Sequence, residues 1–434
     1  MAGAPKPRTV STKQARIATL ARQISGTAIR SLSHHMDLDW LREAYRRTRK
    51  DGAVGVDGQT AAHYAEDLEA NLQSLLDRAK SGDSYRAPPV RRVHIPKGDG
   101  SQTRPLGIPT FEDKVLQRAV VMLLEPVYEQ EFYDFSYGFR PRRSPHDALE
   151  ALDQGLMEMG GGWVLDVDIR DYFGTIGRKG LQDLVRQRVA DGVVRRLIGK
   201  WLRAGVQEAG VVHHPEAGTP QGGVISPLLS NVYLHEVVDK WWVEDVLPRM
   251  RGRAFLVRFA DDFAMVFSDR EDALRVYEVL PKRFERFGLM IHPEKTRLIQ
   301  FRRPRRDGGD TKPGSFDFLG FTHHWGRSRR GSWILKRQTA KDRFSRGLKA
   351  INRWARRARH IPVAKQAAIL GAKLRGHYNY YGVPHNYAAL REMRRAIERL
   401  WKLVLGRRSQ KGYVTWERMR RISRRWLPTP RIVH

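Results

Sequence analysis

The segment that most constrains this chain runs Arg253-Ala254-Phe255-Leu256-Val257-Arg258-Phe259-Ala260-Asp261-Asp262-Phe263-Ala264-Met265-Val266-Phe267. Two β-prone runs rich in Val and Phe flank two adjacent aspartates with almost no spacer. Such a pattern reads as a hairpin whose tight connection carries the acidic pair. The flanking runs are apolar enough to be buried, and bare carboxylates in an apolar site are expensive. The pair therefore either faces solvent as ordinary turn residues, a role that suits Asp, or faces a cation.

A second acidic strand bears on that choice. In Trp163-Val164-Leu165-Asp166-Val167-Asp168-Ile169 the period-2 alternation puts Asp166 and Asp168 on one face and Leu165 and Val167 on the other. Asp168, Asp261 and Asp262 can then meet in a sheet. Clustered aspartates repel unless a cation intervenes, and all-oxygen ligation selects Mg²⁺ over zinc. Two such ions about 4 Å apart serve in-line attack of a 3′-hydroxyl on a phosphate. A further hairpin, Val90 to Lys97 and Thr103 to Pro109 around Gly98-Asp99-Gly100, puts Lys97 and Arg104 near its tip, as solvated cations or as a phosphate clamp. The segment Phe135-Ser136-Tyr137-Gly138-Phe139-Arg140-Pro141-Arg142-Arg143-Ser144 mixes aromatics, arginines and helix breakers, which suits a plain loop or one that grips a nucleic-acid strand. Glycines at Gly218-Thr219-Pro220-Gln221-Gly222-Gly223 precede a helix and can let a backbone approach a phosphate or base.

Charge divides the chain. Of a net +32, residues 321–434 carry +26, from 30 Lys and Arg against 4 Asp and Glu. A surface so basic is expected to hold phosphates. Residues 1–33 read as a flexible basic arm, 34–325 as a mixed α and β body, and 326–434 as an all-helical basic module with interleaved Trp, Tyr and Arg. Expected helices cover 38–49, 61–80, 112–128, 181–205, 271–287, 340–359, 362–381 and 386–406, with Ser144 capping another. The 434 residues contain no Cys, which removes disulfides and thiolate metal sites. No run reaches the roughly 18 apolar residues of a membrane span, and no secretory leader is evident. A soluble cytoplasmic protein without a membrane partner is the expectation.

Seven segments in order resemble the group II intron reverse transcriptases, the intron-encoded maturases of bacterial type. They are Ile95-Pro96-Lys97, Arg104-Pro105-Leu106-Gly107-Ile108-Pro109, Ser136-Tyr137-Gly138-Phe139-Arg140-Pro141, Asp168 with Phe173, Gly218-Thr219-Pro220-Gln221-Gly222, Phe259-Ala260-Asp261-Asp262 and Phe318-Leu319-Gly320. The resemblance spans about 50 to 434. It implies an α+β fold of right-hand polymerase fingers and palm, an antiparallel sheet with helices, followed by an all-helical thumb. It implies catalysis by Asp168, Asp261 and Asp262, with Asp168, Ile169, Asp261 and Asp262 holding two Mg²⁺ for which Mn²⁺ can substitute. Lys97 and Arg104 would contact the triphosphate, Phe173 would gate against a 2′-hydroxyl, Gln221 would sit by the nascent base pair, and Lys295 near the pyrophosphate would act as general acid. Phe139, Arg140 and Pro141, with Arg375 and Tyr380 in the thumb, would touch template and primer. The implied partners are an RNA template, a DNA or RNA primer, dNTPs and group II intron RNA whose splicing and mobility the protein assists. The acidic box opens with Phe259 where the family usually has Tyr, which changes hydrogen bonding and not metal ligation. The family's Cys-containing endonuclease module is not expected here. Two other readings stay open: a free-standing reverse transcriptase in DNA repair or phage defence, and a non-catalytic RNA-binding splicing chaperone.

Overall fold

A computed structural model of the chain describes residues 9–82, 84–97, 102–208, 210–213, 222–304, 314–408 and 412–434. The fold is mixed α and β, with mostly antiparallel strands, in two compact units. One unit comprises residues up to Ala148, Val167–Met265 and Glu271–Arg297, and the other Leu149–Asp166, Val266–Arg270 and Leu298–His434.

The first unit is built on the helix Phe111–Tyr128. It is buried on nearly every face, as the apolar stretch Ala119–Leu124 at its centre requires. Thr110 caps its start, accepting from the Asp113 N–H at 3.3 Å. The helix Leu38–Arg47 docks on it through Trp40, whose indole donates to the Ala119 carbonyl at 2.9 Å. Beside it, Val90–Lys97 and Gln102–Ile108 pair antiparallel, with Ile95 opposite Arg104 and Lys97 opposite Gln102. The short strand Val206–Glu208 adds in parallel to Val90, and Val211–His213 completes this sheet.

Three expectations need correction in this unit. Residues 10–23, expected within the flexible arm, form the helix Val10–Gln23, with Ile17 and Ala21 buried one turn apart. Gln14 donates to the Met122 carbonyl at 3.1 Å, and the Arg188 guanidinium caps the far end through the carbonyls of Ala21, Ile24 and Thr27. The single helix expected over 181–205 is two, Arg178–Arg188 and Gly192–Arg203. Asp191 breaks it, its carboxylate accepting from the N–H groups of Val193, Val194, Leu32 and Ser33. The strand expected through Ile169 stops at Val167. Asp168 leaves the ladder because its carbonyl accepts from His292 N–H at 2.7 Å, and Ile169–Arg170 then pairs with Met290–Ile291.

In the second unit Gly161–Val167 lies between Arg297–Arg302 and the end of Asp262–Phe267. Residues 326–434, expected to be all-helical, begin with the strand Trp333–Thr339, third in a meander with Ser315–Phe318 and Phe321–Arg327. Leu319 and Gly320 form its first turn, both at positive φ, 48° and 80°. Four helices follow, Lys341–Arg357, Val363–Tyr381, Tyr387–Gly406 and Trp416–Trp426, around a core that includes Leu374, Tyr378, Ile397 and Trp401.

Candidate active site

The hairpin Ala254–Phe259/Asp262–Phe267 turns through Ala260, at φ 57°, and Asp261. An alanine in that region is disfavoured, so neighbouring structure must hold the turn. Arg258 is the holder. It is fully buried in a strand that is otherwise apolar, and its guanidinium donates to both carboxylate oxygens of Asp239, to Asn231 Oδ1 at 3.1 Å and to the Ala260 carbonyl at 3.0 Å. Asp239 lies in π-helical turns, His235–Lys240, that extend the helix Ser226–Leu234. Arg258 holds the Asp239 carboxyl below the usual carboxylate range although burial opposes this.

The Phe135–Arg140 segment joins the same network. Tyr137 N–H donates to the Arg258 carbonyl at 2.8 Å and Arg258 N–H to that of Phe135 at 2.9 Å, so the loop is tied to the hairpin by one parallel bridge at Ser136. Asn231 Nδ2 donates to the Gly138 carbonyl at 2.6 Å. A Cβ on Gly138 would stand 2.2 Å from the Ala260 nitrogen, so only glycine allows this approach. Arg258, Asp239 and Asn231 were missed as positioning residues in the sequence, where a lone Arg inside an apolar strand is the available signal.

The structure brings Asp168 and Asp261 into electrostatic contact. Burial first, and then the Asp168 charge, push the Asp261 carboxyl up, while Arg258 and Arg104 pull it down. Lys295 Nζ lies 3.4 Å from Asp168 Oδ2, and both side chains are part-exposed. Thr296 Oγ1 stands 3.4 Å from the Asp168 nitrogen. Asp262 is exposed at the start of its strand. Among the described residues, no three carboxylate, imidazole or thiol side chains gather as a metal-ligand set. A buried carboxyl raised in part by the charge of a neighbouring carboxylate, in an all-oxygen setting, nevertheless fits a hard divalent cation. Ile169, next in sequence to Asp168, is buried.

The remaining expected contacts divide. Arg104 is exposed and near enough to Asp261 to act on its charge. Phe173 is half-buried, edge-on to Tyr172, whose hydroxyl donates to the Ser230 carbonyl at 2.9 Å. Phe139 is 55% exposed at φ 58°, its ring 6.5 Å from that of Phe259, and Pro141 is exposed. Arg375 is exposed on its helix. Gln221 lies outside the described residues, as does the side chain of Lys97. Arg140 needs correction as a template contact: it is 7% exposed and its donors go to Glu129 and the carbonyls of Tyr133 and Ser136. Tyr380 is likewise a packing residue, its hydroxyl donating to the Leu319 carbonyl at 2.8 Å and its ring stacking on Phe321.

Residues 95–323 match the family model of reverse transcriptase (RNA-dependent DNA polymerase), a span that includes Asp168, Asp261, Asp262 and Lys295. The chain belongs to the reverse transcriptase family. It is similar to protein YkfC of Escherichia coli K12, 38% identical over 259 residues, which covers 52% of this chain and 68% of that one. The group II intron-encoded protein LtrA of Lactococcus lactis is 42% identical over 188 residues, 43% of this chain and 30% of LtrA. The 91 kDa protein in the cob intron of Schizosaccharomyces pombe is 25% identical over 379 residues, covering 73% of this chain and 46% of that protein. The resemblance to group II intron reverse transcriptases read from the motifs is thereby borne out, although the match covers less than a third of LtrA's own length.

Proposed function

We propose that this reverse transcriptase is an active RNA-directed DNA polymerase, copying RNA into DNA by nucleotidyl transfer, and that it binds a group II intron RNA and assists its splicing and mobility. The observation that carries the reading is the carboxylate pair Asp168 and Asp261, the first just past the end of Gly161–Val167 and the second in the turn before Asp262–Phe267, with Arg104 and Lys295 as adjoining cations. Asp168, Asp261 and Asp262, with the Ile169 backbone, would hold Mg²⁺, or Mn²⁺ in its place. When bound, the ions supply Lewis-acid activation of a primer 3′-hydroxyl and charge neutralisation at the phosphates.

The protein's own groups bind, orient and move protons around that chemistry. Arg104 and Lys97 take the oxygens of the dNTP triphosphate. Phe173 supports the sugar and leaves no room for a 2′-hydroxyl, which selects deoxynucleotides, and Gln221 borders the nascent base pair. Lys295 carries a proton at Nζ for delivery to the departing pyrophosphate, while its charge compensates Asp168 before substrate arrives. Phe139 and Pro141 offer an exposed edge to the template, and Arg375 a charge to the duplex.

One observation favours a second reading: no full ligand set gathers among the described residues, and a splicing chaperone that only binds RNA needs none. Primer extension on an RNA template with dNTPs and Mg²⁺ decides. The expected result is extension by the wild type and a loss on the order of 10²–10³-fold in Asp261→Asn, as for removal of one electrostatic stabiliser of a transition state. Equal extension by both proteins would sink the catalytic assignment. No extension by the wild type, with splicing support intact, would establish the chaperone.

A further inference from the structure

The helices Arg178–Arg188 and Gly192–Arg203 enclose a groove that the reaction above does not use. The second helix has four Lys and Arg among twelve residues and no Asp or Glu. Gly192, the adjacent Arg195 and Arg196, Gly199 and Arg203 line the groove from that helix, recurring about once per turn along one face. Gln182 and Val185 form the facing wall, the enclosed volume is about 270 Å³, and no carboxylate is among the lining residues. Arg195, Arg196 and Arg203 are exposed and make no ion pair with a described residue.

The carboxylate at the start of the second helix is committed elsewhere. The Asp191 carboxylate accepts four backbone N–H groups. Lys200, the fourth basic residue of the helix, donates to the carbonyls of Gly82 and Tyr85, both at 2.7 Å. Burial, and then the charge of Arg203, disfavour the ionised form of Arg178. Gly199 leaves the floor open, since a Cβ there would stand 3.4 Å from Arg203 Nη2 and 3.6 Å from Gln182 Nε2. Like charges gathered in a concavity without a counter-ion raise the local potential and attract an anion.

We propose that this groove binds backbone phosphates of an RNA strand, with the guanidiniums of Arg195, Arg196 and Arg203 on the phosphate oxygens and the Gln182 amide beside them. The volume falls just below the roughly 300–1,000 Å³ of small-molecule sites and no aromatic ring is among the lining residues for a base to stack on, so the groove suits phosphates of a passing strand better than a whole nucleotide with its base. The proposal rests on the reading of this protein as one that handles RNA, but it shares no residue with the Asp168–Asp261 site.

Salt-dependent filter binding of single-stranded oligouridine to the full chain tests it. In Arg195→Gln/Arg196→Gln/Arg203→Gln the slope of log K against log salt is expected to flatten by about 2, since each of three phosphate contacts on a single strand contributes about 0.7. The Lys triple variant keeps the charge, should keep most of the slope, and controls for folding. A Gln variant with the wild-type slope would overturn the proposal. Inorganic phosphate at matched ionic strength separates the two phosphate sources. It is expected not to displace RNA selectively from the wild type, and selective displacement that the Gln variant lacks would assign the groove to the free anion instead. Extension from a preformed template–primer at saturating protein is expected unchanged in the Gln variant. Loss of polymerase activity in the wild type would count against the proposed function and leave the slope comparison intact.

Discussion

Asp261 sits where burial and the charge of Asp168 both oppose its ionisation. A carboxyl raised in this way favours folding as pH falls through its raised value and penalises folding above it. Asp261→Asn removes the penalty. Without divalent cation at neutral pH the variant should melt above the wild type, by about 1–2 °C for each 1 kcal/mol relieved. Mg²⁺ should raise the wild-type melting temperature and leave the variant unmoved, a comparison that thermal melts with and without a chelator make directly. A second carboxyl titrates nearer neutrality: burial pushes Asp113 up to about 6, against donation from Tyr85, Trp201 and Gln117. Its raised value means that the stability it contributes in acid is lost as pH rises through about 6. Asp113→Asn should therefore gain on the wild type from about pH 4 to pH 7, read as the difference between their melting temperatures. Residue identities made the aspartates legible in the sequence. They could not separate Phe139, which stays exposed, from Arg140 one position later, because a sequence does not show how many of a guanidinium's donors the fold has already consumed.

At the scale of elements, the turn bearing Asp261 depends on a charge buried in a strand. Asp239→Ala would leave Arg258 unpartnered in the interior, which costs about 3–5 kcal/mol. Arg258→Met with Asp239→Leu should cost far less, and denaturant unfolding of that double variant and of its two single variants, Arg258→Met and Asp239→Leu, measures the coupling. All three should still lose primer extension if the pair positions the Ala260–Asp261 turn, whereas retained activity in the double variant would make the pair purely structural. The hairpins and the amphipathic helices were readable from period and composition. The break at Asp191, the end of the strand at Val167 and the docking of Val10–Gln23 were not. Each is made by a side chain or carbonyl bonding to backbone far away in the sequence, as Asp191 does to Leu32 and Asp168 to His292. Local pattern carries no trace of such bonds.

At the scale of the whole molecule, charge and relatedness point the same way. Most of the net +32 lies beyond residue 320, in the stretch that includes the four C-terminal helices. If the protein serves an intron, purification from its native host should bring down one dominant structured intron transcript, identified by sequencing the bound RNA. A broad mixture of messages would favour the free-standing reverse transcriptase. Described helices offer no segment long and apolar enough to cross a membrane. The division into units has a consequence for how the protein comes apart. The chain passes between them five times, after Ala148, Asp166, Met265, Arg270 and Arg297. No single protease nick can free one unit from the other. A fragment that starts at Leu298 would abandon Gly161–Val167, the strand beside Arg297–Arg302, to the other piece. Limited digestion should accordingly yield nicked chains that stay together through gel filtration and separate only in denaturant.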